Sequence, residues 1–179
     1  MTGTLRSFDF NCAYLNGTLN DDKEIYMQEP PGYETQREHS VKRLHKSLYR
    51  LKQAGRKWYE ALSHALTDLG FHASMADPGV FLTNIDNHTL ILAIHVDDCI
   101  LTGGPPELLT KYKQKFNDCY ALTNLGPIHW FLGIKITHNC SACTISLSQA
   151  SYINSILTCF GLGDIKPYGT PMVLGANYL

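Results

Sequence analysis

Two adjacent aspartates, Asp97 and Asp98, interrupt an apolar stretch, with Leu90-Ile91-Leu92-Ala93-Ile94-His95-Val96 before them and Cys99-Ile100-Leu101 after. Both flanks read as buried β-strand. Burying a carboxylate without a compensating partner is costly, so two side by side call for a counter-charge. Mg²⁺, a hard ion held by one or two carboxylates together with substrate phosphates, would supply it at a hairpin tip that faces a polyphosphate. Taken alone, the pair has a second reading: Asp is a common turn residue, and a solvated Asp-Asp at a hairpin tip costs nothing. The rest of the chain has to decide.

The chain has 179 residues, 44% of them hydrophobic, which is enough for one domain with a real core. No run of about 18 apolar residues occurs, and the opening Met1-Thr2-Gly3-Thr4-Leu5-Arg6 has no apolar leader. A soluble intracellular protein with no membrane partner is therefore expected. The six scattered cysteines then read as reduced thiols rather than a disulfide framework. A net charge of −1 excludes the strongly basic balance of a freestanding nucleic-acid binder. Locally the balance differs, because seven of the 15 Lys and Arg residues fall at positions 42–57: Lys42, Arg43, Lys46, Arg50, Lys52, Arg56 and Lys57. Leu44, Leu48, Tyr49 and Leu51 among them suggest a stretch anchored on a core, its cations facing a phosphate backbone or simply water.

Alternation at positions 5–11 sets Leu5, Ser7 and Asp9 on one strand face against Arg6, Phe8 and Phe10 on the other. A short strand is expected at 25–27 and a polar loop at 33–40. Trp58, Tyr59, Leu62, Leu66 and Leu69 recur at helical spacing before Gly70, so 56–69 is the clearest helix. A hairpin is expected from 80–82 to 90–96 around Asp86-Asn87-His88, and a further strand directly after Asp98. Pro105-Pro106 opens a helix carrying Leu108, Leu109, Tyr112 and Phe116. A second hairpin, 134–137 with 144–147, leads through Ser148 into a helix at 149–160, with an expected buried face of Tyr152, Ile153, Ile156, Leu157 and Phe160. The order predicts an α+β fold with helices on one face of an antiparallel sheet.

Several strings carry a resemblance. They are Phe8-Asp9-Phe10-Asn11-Cys12-Ala13-Tyr14-Leu15-Asn16-Gly17, Ile25-Tyr26-Met27-Gln28-Glu29-Pro30-Pro31-Gly32-Tyr33, and Lys46-Ser47-Leu48-Tyr49-Arg50-Leu51-Lys52-Gln53-Ala54-Gly55-Arg56-Lys57-Trp58-Tyr59. Asp77-Pro78, His95-Val96-Asp97-Asp98, Leu125-Gly126-Pro127-Ile128-His129-Trp130-Phe131-Leu132-Gly133-Ile134, Leu147-Ser148-Gln149 and Thr170-Pro171 follow in order. Together they resemble the reverse transcriptase of copia-type LTR retrotransposons over almost the whole chain.

The resemblance implies a polymerase palm using two Mg²⁺ ions, or Mn²⁺ in their place, with residues 1–179 forming a partial domain: palm plus the start of the thumb-proximal region. Asp9, Asp97 and Asp98 match the metal-binding carboxylates. Two ions roughly 4 Å apart hold the attacking primer 3′-hydroxyl and the leaving pyrophosphate in line. If strand alternation persists to the tip, Asp97 shares a face with His95 and Asp98 points differently, which makes Asp9 and Asp97 the indispensable pair. Tyr14 matches the aromatic that packs under the deoxyribose and excludes a 2′-hydroxyl; read without the motif it is a core aromatic. Gln53 matches a residue near the incoming nucleotide, and Lys52 and Arg56 match phosphate or template contacts. Phe131, Leu132 and Gly133 resemble the primer-grip hairpin. His129 stands where the family often has a Lys that protonates pyrophosphate, an imidazole being largely deprotonated at neutral pH where an ammonium is not.

His95 replaces the usual Tyr of the metal box, and Arg50 stands where the family commonly has Gly. The implied partners are an RNA or DNA template with primer, dNTPs, and the fingers, thumb and RNase H segments of a polyprotein that this chain is expected to lack. In an active element the place would be the cytoplasm or a virus-like particle. A different class stays open, a catalytically inactive remnant with weak or no nucleic-acid binding. A zinc module on His138, Cys140 and Cys143 is less well supported, since one Cys-x-x-Cys without a second pair is better explained as a turn of small residues.

Overall fold

The computed structural model describes residues 5–19, 24–33, 40–166 and 169. The Thr170-Pro171 motif and positions 34–39 of the expected polar loop lie outside the described residues. The strands are β1 (Arg6–Phe10), β2 (Tyr26–Gln28), β3 (Val41–Arg43), β4 (His72–Ala73), β5 (Val80–Ile85), β6 (His88–His95), β7 (Asp98–Thr102), β8 (Leu122–Pro127), β9 (Trp130–Phe131), β10 (Ile134–Asn139) and β11 (Thr144–Ser148). The helices are α1 (Ala54–Asp68), α2 (Pro106–Cys119) and α3 (Ala150–Cys159), with one 3₁₀ turn at Ala13–Asn16. The fold is α+β with antiparallel sheets, and the chain divides into two units, Met1–Ile128 and His129–Leu179.

The first unit is built on a six-stranded sheet in the order β4-β5-β6-β7-β1-β8. Alternation sorts most of its apolar residues, although Ser7, on the other face of β1, is buried too. Phe8 and Phe10 of β1, Cys99 and Leu101 of β7, Leu90 and Leu92 of β6 and Phe81 of β5 are buried on one face. Over that face lie α1 through Trp58, Leu62 and Leu66, and α2 through Leu109, Tyr112 and Phe116, each set at helical spacing. Aromatic rings lock the layers: Phe10 meets Trp58 edge-on at 5.5 Å, and Phe8 meets Phe116 at 5.8 Å.

Punctuation in the sequence explains the ends of these elements. Gly70 (φ +87°) closes α1: its N–H donates to Thr67 O, and Phe71 N–H donates to Leu66 O, the paired bonds of a Schellman cap. Asp86 and Asn87, at φ 47° and 64°, form the two-residue turn between β5 and β6, with both central residues left-handed as a type I′ turn requires. Pro105 and Pro106 open α2, where the missing N–H is no loss.

The second unit contains the sheet β11-β10-β9 and α3. Leu132 (φ 49°) and Gly133 (φ 77°) turn β9 into β10. Here the sequence expectation needs correction. The face of α3 expected to be buried is not: Tyr152, Ile153, Ile156 and Phe160 are exposed and Leu157 is half-buried. Helical periodicity specifies a stripe but not a partner. The three short strands supply little to cover it, since β11 is exposed along its whole length and Ile136 is the one buried residue of β10.

At Gly103 (φ +101°), just past β7, an added Cβ would stand 1.9 Å from the Thr89 carbonyl oxygen, whereas at Gly126 (φ +77°) it would meet nothing within 4 Å. Gly103→Ala is therefore expected to cost about 3 kcal/mol or more, and Gly126→Ala only about 1–2 kcal/mol of left-handed strain. Urea midpoints measure both, and equal losses would contradict the packing described for β6 and β7.

Candidate active site

The acidic residues lie at neighbouring ends of β1 and β7, two interior strands of the six-stranded sheet. Asp9 sits between buried Phe8 and Phe10 on β1, so its side chain leaves from the face opposite the helices. Its cross-strand partner is Asp98 on β7, and Asp98 in turn lies opposite His95 on β6. On the other side Asp9 lies opposite Thr123 of β8. The backbone N–H of Phe10 donates to the Asp97 carbonyl at 2.9 Å. That bond makes Asp9 and Asp98 a non-hydrogen-bonded pair, the kind whose Cα atoms are only ~4.5 Å apart and whose side chains lie closest.

Alternation does not persist to the tip. Val96 and Asp97 form a two-residue turn between β6 and β7, so Asp98, not Asp97, shares a row with His95. Val96 carries φ 60°, a conformation that β-branched residues strongly disfavour. Two bonds hold this turn: the Phe10 bond to Asp97, and the indole Nε1–H of Trp58, which donates to the Val96 carbonyl at 2.6 Å.

The electrostatics agree with this placement. Burial first, then the charge of Asp97, then that of Asp98, raise the Asp9 carboxyl above its ordinary 3.8. Asp97 acts on it more strongly than Asp98, although the backbone pairs it with Asp98. Among the described residues no ion pair or side-chain hydrogen bond engages Asp9, and Asp97 and Asp98, half-buried like it, are near enough to raise its carboxyl. Their chemistry, hard oxygen donors with unbalanced negative charge, fits a divalent ion. Yet among the described residues no three His, Cys, Asp or Glu side chains stand in a ready metal-holding arrangement.

Tyr14 lies in the 3₁₀ turn after β1. Ser47, fully buried, donates its hydroxyl to the Tyr14 carbonyl, and the Ser47 N–H bonds Gly17 O at 2.8 Å. The Tyr14 ring meets Tyr49 edge-on at 4.9 Å. Tyr49 was expected as a core anchor, but it is half-exposed. Its hydroxyl is raised by burial first, and then by Asp97, Cys12, Asp9 and Tyr14, which brings Tyr49 into the field of the carboxylates. No motif signals this; only the turn over 48–51, with Arg50 at φ 71° where a glycine would sit unstrained, swings it there.

Gln53 occupies the N-cap position of α1 without a side-chain capping bond, two residues before Gly55, the point of α1 that faces the Tyr14 ring. Lys52 is exposed. Arg56 pairs with Glu60 at 2.8 Å, as does Lys57 at 2.9 Å, while Lys42 pairs with Glu29 and Arg43 with Glu24. Four of the seven cations in the basic stretch thus already have carboxylate partners. His129, Phe131, Leu132 and Gly133 belong to the second unit, where the His129 carbonyl accepts from Ile136 N–H at 2.8 Å and Leu132-Gly133 form the turn.

This chain belongs to the reverse transcriptase (RNA-dependent DNA polymerase) family, whose model matches residues 3–174. Within that family it is similar to copia-type retrotransposon sequences. It is 34% identical over 170 residues to a retrovirus-related Pol polyprotein from transposon TNT 1-94 of Nicotiana tabacum, covering 94% of this chain and 13% of that protein. It is 35% identical over 169 residues to the Pol polyprotein from transposon RE1 of Arabidopsis thaliana, covering 94% and 11%. A Ty5-1 transposon protein of Saccharomyces cerevisiae is 30% identical, with 92% and 53% covered. The chain therefore spans a small part of the plant relatives' length. No solved structure matches it. Among the described residues no helix is long and apolar enough to cross a membrane.

Because Asp9 binds its proton more tightly folded than unfolded, stability falls as pH rises from about 3.8 through the raised folded value. In EDTA at pH 7, Asp9→Asn is expected to melt a few degrees above the parent, with Asp98→Asn neutral or slightly higher, and the Asp9→Asn gain should vanish near pH 3. A lower melting temperature for Asp9→Asn at pH 7 would show that the carboxylates do not repel one another.

Proposed function

We propose that the first unit is a polymerase palm and that the chain carries part of an RNA-directed DNA polymerase acting by two-metal nucleotidyl transfer. The second unit is then the start of the thumb-proximal region. The observation that supports this reading is the cross-strand pairing of Asp9 with Asp98 on the sheet face away from the helices, with Asp97 beside them in a strained turn held by two hydrogen bonds, and with no ion pair to Asp9 among the described residues. When bound, a pair of divalent ions supplies the charge stabilisation for attack by a primer 3′-hydroxyl and departure of pyrophosphate.

The chain's own residues do the rest. Asp9, Asp97 and Asp98 hold the ions. Tyr14, wedged against Tyr49 and fixed through Ser47, closes the sugar side and excludes a 2′-hydroxyl. Gln53 borders the incoming nucleotide, Lys52 and Arg56 meet phosphate, and the Phe131-Leu132-Gly133 turn positions the primer end. His129 hands a proton to pyrophosphate. Template, primer and dNTPs are the partners, together with other segments of a Pol polyprotein.

One observation favours a second reading, an inactive remnant. The net charge is −1, and most of the basic stretch is tied up in ion pairs, which leaves little to hold a phosphate backbone.

Primer extension on an RNA template with Mg²⁺ separates the two. The polymerase reading expects dNTP incorporation that falls at least ~100-fold in Asp97→Asn, comparable to removing a key electrostatic group. It also expects His129→Lys to carry the rate to higher pH before it falls. No incorporation by the folded chain, or incorporation indifferent to Asp97→Asn, supports the remnant.

A further inference from the structure

On the helix side of the sheet, directly behind the Val96 turn, the first unit holds a cavity of about 200 Å³ between α1 and β6. Its walls include Tyr14, Gly55, Trp58, Leu62, Ile94 and Val96. Three polar groups along it are already committed. Trp58 Nε1–H donates to Val96 O, the Tyr59 hydroxyl to Pro78 O at 3.0 Å, and Ile94 N–H to Gly79 O at 2.8 Å. A visiting molecule therefore meets chiefly carbon and ring faces.

Size narrows the class further. An apolar cavity of ~150 Å³ stays dry and takes up benzene, whereas drug-sized ligands need ~300 Å³ or more. Gly55 keeps the space open. A Cβ there would meet only the Tyr14 ring, at 3.9 Å, so nothing steric forbids a side chain. Gly55 lies in the first turn of α1, where alanine is the better helix former.

We propose that this cavity is a binding site for a small apolar aromatic molecule, one ring or an indole, seated against Trp58, Tyr14 and Val96. Its occupant packs on the residue whose carbonyl Trp58 holds, and so braces the turn that carries Asp97. That bracing would reach catalysis only if the polymerase reading of Asp97 holds; binding itself does not depend on it.

The test titrates benzene, and separately indole, into the ¹⁵N-labelled chain in EDTA without nucleic acid. The two tryptophans, Trp58 in the wall and Trp130 in the second unit, report separately. Saturable shifts of the Trp58 indole N–H, with Trp130 unmoved, are expected. Gly55→Ala should fold at least as well as the parent and bind benzene several-fold more weakly, and Gly55→Leu should abolish saturable binding. Absence of saturable shifts at Trp58 up to the solubility of benzene, or equal affinity in the parent and Gly55→Ala, would overturn the proposal. Asp97→Asn should bind benzene like the parent, so a failed primer-extension assay and an empty cavity are separate results.

Discussion

Everything that makes this chain chemically interesting hangs on a turn that would not stay folded by itself. Val96 sits at φ 60°, where a valine pays for its branched Cβ, and the next two residues are aspartates whose charges repel Asp9. Two hydrogen bonds from the most deeply packed parts of the unit hold it: Phe10 N–H to Asp97 O from the centre of the sheet, and Trp58 Nε1–H to Val96 O from α1. Phe10 and Trp58 touch each other edge-on, so the donors belong to one rigid body. The aromatic core thus positions the carboxylates as well as stabilising the fold.

Much of this was legible in the sequence, because each element carried a local physical signature. The apolar stripe of α1, the Asp86-Asn87 turn, the double proline before α2 and the alternation around Asp9 each fix one element with little help from the rest of the chain. The motif order places Asp9 and Asp98 in the same family signature, and the register brings them opposite each other on β1 and β7. What failed were inferences that extended a periodic pattern past its end. Strand alternation ends at His95, where a two-residue turn resets the face, so His95 aligns with Asp98. Helical periodicity in α3 was taken to mean burial, but an amphipathic stripe says nothing of whether a partner surface exists. Tyr49 was missed because its place depends on a left-handed Arg50, which sequence pattern disfavours.

The charge distribution shows a similar division. A basic stretch over 42–57 reads as a phosphate-binding surface, yet Lys42, Arg43, Arg56 and Lys57 meet Glu29, Glu24 and Glu60. Exposed pairs of this kind contribute little stability, so their main effect is to lower the positive potential that the surface offers. At the acidic row, by contrast, burial and mutual repulsion act in the same direction on Asp9. A site that is unfavourable when empty gains most from a divalent cation.

The most direct measurement is anomalous diffraction from crystals of the chain soaked in Mn²⁺ with a nucleoside triphosphate. Two peaks, roughly 4 Å apart as in two-metal sites, are expected among the carboxylates of Asp9, Asp97 and Asp98, with the triphosphate oxygens completing their shells. No peak at those carboxylates, or a metal bound only at His138 and Cys140, would contradict the assignment of the acidic row as the metal-holding centre.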